Sequence, residues 1–183
     1  MKLQKRLSIT FLFSFFVAMI ALSPTSQAMQ FGVLGGVNQT HQSQPADYSS
    51  QSGFIGGVSL NFPFLLLLDI EADALYEHQT YKQGVLNFSS NHFQIPVLAR
   101  LTFFPFFNIG GGIYYEFASG SNNGYNGNDF GLASSIQFKL PLAAGTHLIA
   151  DARYLFGLRN LGNDTVSYKN REVNLMAGLC FDM

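Results

Sequence analysis

In the segment Phe93-Gln94-Ile95-Pro96-Val97-Leu98-Ala99-Arg100-Leu101-Thr102-Phe103 every odd position is apolar, whereas the even set carries Gln94, Arg100 and Thr102. From Leu148 to Phe156 the even positions are Leu, Ala, Ala, Tyr and Phe, and the odd ones include Asp151 and Arg153. A period of two belongs to strands, whose successive side chains point to opposite faces of a sheet. The charges sharpen the constraint. Asp69, Glu71, Asp73 and Glu77 share one face of their strand, and Arg100, Glu116, Lys139, Asp151, Arg153, Glu172 and Asp182 fall on the polar face of theirs. The opposite face of every proposed strand reads as free of charge.

Eight strands account for the pattern, at about 30–40, 52–62, 65–78, 91–104, 106–118, 128–140, 145–157 and 171–182. Their connections alternate in length. Tight turns are expected at Phe62-Pro63-Phe64, Phe104-Pro105-Phe106 and Pro141 to Gly145, and long polar ones at Gln39 to Gln51, Lys82 to Ser90, Gly120 to Gly127 and Leu158 to Asn170. Short and long connections therefore sit at opposite ends, which describes an up-and-down antiparallel barrel with an even strand count. Such a barrel with one uncharged face has two solutions, a secreted lipocalin-like carrier with an apolar interior or an outer-membrane barrel with an apolar exterior. A charge at the lipid midplane costs about 2–4 kcal/mol for Arg or Lys, so a bilayer enforces a clean face. A water-facing wall has no need of Phe93, Ile95, Val97, Leu101 and Phe103 in succession. The expected fold is an eight-stranded antiparallel up-and-down transmembrane β-barrel.

Composition agrees. Only 11% of the 183 residues are charged, against about 25% in an ordinary soluble domain, and 15% are aromatic, which excludes a disordered chain. Phe62, Phe64, Phe103, Phe104, Phe106, Phe107, Phe138 and Phe181 lie near the short-turn end, and Tyr76, Tyr115, Phe117, Tyr154 and Phe156 near the other, as two interfacial girdles would. The N-terminus is set apart: Lys2, Lys5 and Arg6 precede an apolar run from Leu7 to Leu22, and Ser26-x-Ala28 supplies a small-residue cleavage site. This predicts a cleaved signal peptide over 1–28 and a barrel domain over 29–183, exported to the outer membrane of a Gram-negative bacterium. Three of the ten basic residues lie in that peptide, leaving seven against eleven acidic ones, a net charge of −4. No basic footprint for nucleic acid exists.

Eight strands enclose a lumen only wide enough for side chains, so no water-filled pore is expected. The inward charges are expected to form an ion-pair network, Glu71 or Asp69 with Arg100 and Asp151 or Asp73 with Arg153, because buried charges persist when paired and hydrogen-bonded. Catalytic, cofactor and metal sites are not indicated. His41, His78, His92 and His147 lack the H-x-x-x-H and H-E-x-x-H spacings, and no Ser sits in a nucleophile elbow. Cys180 reads as a small buried thiol on the lumen side. The polar loops Gly120 to Asp129 and Asn160 to Asn170 are the expected outward surface.

Several stretches resemble a known group. Phe93-Gln94-Ile95-Pro96-Val97-Leu98-Ala99-Arg100, Ile109-Gly110-Gly111-Gly112-Ile113-Tyr114, Asp129-Phe130-Gly131-Leu132, Asp151 to Leu158 and the closing strand from Lys169 are similar to the outer-membrane β-barrel family that includes the PorT-like proteins. Gly178-x-x-Phe181-x-Met183 resembles the carboxy-terminal signal read by the outer-membrane assembly machinery, with Met176 and the terminal Met183 as departures from its usual pattern. The resemblance implies an outer-membrane barrel contacting lipid and, during biogenesis, that machinery. Some members of that family are linked to protein secretion. For this chain the expected role is structural or one of interaction, with an envelope or secretion protein as partner; the alternatives are a secretion-associated accessory barrel, a narrow channel or a lipid-modifying enzyme.

Overall fold

The computed structural model describes residues 28–42, 51–83, 86–104, 106–119, 128–159 and 169–183. Residues 1–27 of the proposed export segment, and the polar connections 43–50, 120–127 and 160–168, lie outside the described residues. Eight strands follow in chain order: β1 (Gln30–Gln42), β2 (Gln51–Leu65), β3 (Leu68–Gln83), β4 (Leu86–Phe104), β5 (Phe107–Ser119), β6 (Asp129–Ala143), β7 (Thr146–Gly157) and β8 (Asn170–Asp182). Each pairs antiparallel with its neighbours in sequence, and β8 pairs with β1 to close the barrel. Closure leaves no strand edge unpaired, which a bilayer requires because lipid offers no hydrogen-bond partners. At the seam the Met183 amide donates to the Met29 carbonyl at 2.8 Å.

The strands alternate as the residue pattern demands. In β4, Gln94, Leu98 and Arg100 are wholly buried while Phe93, Ile95, Val97, Leu101 and Phe103 are exposed. In β7, Asp151, Arg153 and Leu155 point inward and Leu148 and Tyr154 outward. The exterior is apolar and the interior largely polar, the inverse of a lipocalin-like carrier. Phe62, Phe64, Phe103, Phe104, Phe106, Phe138 and Phe181 are exposed toward the short-turn end, and Tyr76, Tyr115, Phe117 and Tyr154 toward the other. Both girdles are therefore on the outer wall. A small apolar core survives inside: Leu34, Ile55, Leu75, Ile149, Met176 and Cys180 cluster together, and Leu98, Tyr114, Ala133 and Leu155 form a second group.

Three expectations from the sequence need correction. Phe62-Pro63-Phe64 is strand rather than turn: β2 runs on to Leu65, and the ladder absorbs the imino nitrogen by a register shift between Pro63 and Leu65, as Pro in a strand requires. The reversal follows at Leu66-Leu67. Lys82 to Ser90 is not a long loop, because β3 and β4 keep pairing out to Gln83 and Leu86. Polar residues there need no core to stay in a backbone ladder. Finally, among the described residues the charge of Arg171 faces outward. Arg171, on the outer face of β8, lies with its guanidinium carbon 3.4 Å from the centroid of the Phe156 ring and donates to the carbonyls of Gly157 and Asn170. Its place at the long-connection end, over an aromatic face, is where an amphipathic cation is tolerated.

Candidate functional site

The inward side chains form two polar layers. In the deeper one, β3 contributes Glu71 and Asp73, β4 Arg100, β6 Ser135 and Gln137, and β7 Asp151 and Arg153. These elements place the groups together because every second residue turns inward and the closed sheet wraps β3 and β7 to opposite walls, four strands apart in a ring of eight. Arg100 grips Glu71 in a bidentate manner, Nε to Oε2 at 2.6 Å and Nη2 to Oε1 at 2.5 Å. The same guanidinium donates to Asp151 at 2.6 Å and to Ser135 at 2.9 Å. Arg153 donates to Asp151, to Glu71 across the lumen at 2.8 Å, and through Nη1 to Asp73. Ser135 donates to Asp151 at 2.6 Å. Two guanidiniums thus serve three carboxylates from both walls, with the planar fork that suits Arg to buried pairing.

Asp69 stands apart from this layer. Its Cα is paired with that of Arg100, yet its carboxylate accepts at 3.5 Å from Asn61, near the short-turn end. Of the residues singled out from the sequence, Glu71, Asp73, Arg100, Asp151 and Arg153 are therefore brought into contact, and Asp69 is not. Sequence reasoning missed Ser135 and Gln137 as partners, since an uncharged residue on a polar strand face carries no signal of whom it meets.

The outer layer was also missed. Glu77 from β3, Glu116 from β5 and Glu172 from β8 converge with Gln94 and His92 of β4. His92 Nδ1 lies 2.7 Å from Glu116 Oε1, and Gln94 donates at 3.4 Å to both Glu116 and Glu172. Gln79 donates to Glu77 and, at 2.9 Å, to Thr40. Asp129, counted among exposed loop residues from its neighbours, opens β6 and is buried, accepting from the Tyr114 hydroxyl at 2.9 Å. His78 bonds Asn91 on the outer side, beside the Phe54 ring, and His147 lies near Asp182 at the short-turn rim.

Residues 24–163 match the family described as outer membrane protein beta-barrel domain. The chain belongs to that family. As a member, this outer-membrane barrel takes its place in the lipid bilayer of the Gram-negative outer membrane. None of the curated proteins matches it significantly in sequence. Its fold is similar to that of the outer membrane protein OprG from Pseudomonas aeruginosa, at TM-score 0.57 and 14% identity over 86% of this chain and 97% of that one. Neisserial surface protein A is similar at TM-score 0.58 and 15% identity, covering 86% and 98%. Ail, the attachment invasion locus protein of Yersinia pestis, solved with the heparin analogue sucrose octasulfate, gives TM-score 0.50 and 13% identity over 85% and 100%. Identities this low speak for the shared barrel and not for a shared activity.

Proposed function

We propose that this outer-membrane barrel has a structural and interaction role in the cell envelope, is exported with residues 1–28 removed, and carries a lumen closed by its own ion pairs. The observation that carries the reading is Arg153, which reaches from β7 to Glu71 and Asp73 on the opposite wall. Side chains that meet across the axis leave no continuous aqueous path, and paired buried charges hold them there. Contacts with other envelope components then fall to the outward end, where the strand ends flanking 43–50, 120–127 and 160–168 lie together. The test is electrical. Purified protein in a planar bilayer is expected to give no resolved conductance steps, whereas shortening both Arg100 and Arg153 to Ala opens measurable ones. Steps from the native protein would overturn the closed-lumen reading.

A secretion-associated role is the second reading, favoured by the likeness of Phe93 to Arg100 and Asp151 to Leu158 to PorT-like proteins. Kinship with that branch belongs to the same proposal. Crosslinking in the native envelope separates the two: an accessory barrel yields secretion components as its major adducts, and a structural one yields general envelope proteins or lipopolysaccharide.

A further inference from the structure

Glu77, Glu116 and Glu172 are buried at 0%, 3% and 1% exposure, and one carboxylate oxygen from each lies within 4.8 Å of the others. Three carboxylates so close in a low-dielectric interior repel one another, and nothing in the deeper layer relieves them, because Arg100 and Arg153 are engaged with Glu71, Asp73 and Asp151. Among the ion pairs of the described residues, His92 is the side chain that reaches this group, and it touches only Glu116. A second observation comes from the buried amides beside the acids, whose polar atoms are left without partners. Gln94 is wholly buried, its amide head is held between Glu116 and Glu172, and its carbonyl oxygen has no partner. Oε2 of Glu77 and of Glu172 also lacks one, as do both polar atoms of Asn174, the next inward residue of β8.

We propose that Glu77, Glu116 and Glu172, with the side-chain carbonyl of Gln94, hold one hard divalent cation of calcium's size in the outer layer of the lumen. All the donors are oxygens, which selects hard cations over the softer metals that prefer nitrogen and sulfur. The spacing selects size. Calcium–oxygen bonds of about 2.4 Å put neighbouring ligands about 3.4 Å apart, against about 3.0 Å for magnesium. Turning the Gln94 amide over places its oxygen where the nitrogen now stands, 3.4 Å from Glu116 and from Glu172. The layer is close to the long-connection mouth, Glu172 being the third residue of β8 and Glu116 the fourth from the end of β5. The ion enters from that side and ties β3, β4, β5 and β8 together.

Terbium, which takes calcium's oxygen sites and emits when a nearby tyrosine is excited, provides the probe. Tyr114 shares the inward face of β5 with Glu116, whereas Tyr76, Tyr115 and Tyr154 face outward. Refolded full-length protein in detergent should show saturable terbium emission at one equivalent, displaced by calcium in preference to magnesium. Glu172→Gln, which removes one of three mutually repelling charges, should keep the heat-modifiable gel shift of a folded barrel and weaken calcium competition by about ten-fold or more. Tyr114→Phe should dim the emission several-fold with calcium affinity unchanged. Glu116→Gln supplies the same reading should Glu172→Gln not fold. Absence of saturable emission from folded native protein, or an unchanged calcium affinity in a folded glutamate variant, overturns the site.

Discussion

Arg153→Ala is expected to cost about 3–5 kcal/mol of stability, the loss that follows when one partner of a buried ion pair is removed and the other stays behind. Asp73 suffers most, because Arg153 is the ion-pair partner it has among the described residues and its second oxygen is already without a hydrogen bond. Glu71 and Asp151 keep Arg100. The denaturant midpoint for loss of the fast-migrating folded band measures the effect. Adding Asp73→Asn should recover a large part of the loss, since the stranded charge goes with it. Arg153→Lys should recover little, because one ammonium cannot reproduce a planar fork that serves three carboxylates from both walls. A loss below about 1 kcal/mol for Arg153→Ala would mean that the lumen carries these charges without depending on their pairing.

Gly112→Val should abolish barrel formation altogether. A Cβ at Gly112 would lie 1.9 Å from the Val97 carbonyl oxygen and 2.9 Å from the Leu98 Cα, backbone atoms of the paired strand β4 that cannot step aside. At this inward position the two backbones lie too close for a side chain, and glycine is the residue that permits it. The neighbour provides the control. Gly111 faces lipid with nothing within 4 Å of an added Cβ, so Gly111→Ala should fold as the native protein does. Refolding yield, read as the heat-modifiable band, distinguishes them; a folded Gly112→Val would show that β4 and β5 can part locally without loss of closure.

The barrel was legible in the sequence because lipid imposes the same alternation on every strand. Residue by residue, Phe93 to Phe103 and Leu148 to Phe156 separate their faces cleanly, the same alternation carried along the chain gives the strand number, and the charges mark the inward set. Ends were less legible. Pro63 reads as a turn residue, yet a register shift lets it sit inside β2; Lys82 to Ser90 reads as loop by polarity, yet its backbone pairs to the tip of the β3–β4 hairpin. Contacts inside the lumen were legible in part: Arg100 meets Glu71 and Arg153 meets Asp73 and Asp151 as the residue pattern suggests, whereas the reach of Arg153 to Glu71 and of Arg100 to Asp151 was not foreseen. That Arg100 and Arg153 face carboxylates follows from burial, but which further carboxylates they meet depends on the stagger between strands, and residue pattern carries no measure of stagger. The separation of Asp69 from Arg100, and the convergence of Glu77, Glu116 and Glu172 from three strands, both arise there.

The pairing of β1 with β8 also shapes how the molecule is made. Seven of the eight ladders join consecutive strands and form between residues near in sequence, whereas Gln30 and Asp182, hydrogen-bonded at 2.6 Å, are 152 positions apart. Bringing such distant points together costs about 4 kcal/mol of chain entropy beyond the constant for short loops. Local hairpins can accumulate first, but none of them shelters the exposed edges of the first and last strands. Closure is thus the pairing with the largest entropic cost, and until the final residues of β8 dock on β1 the sheet is an open ribbon with two unpaired margins.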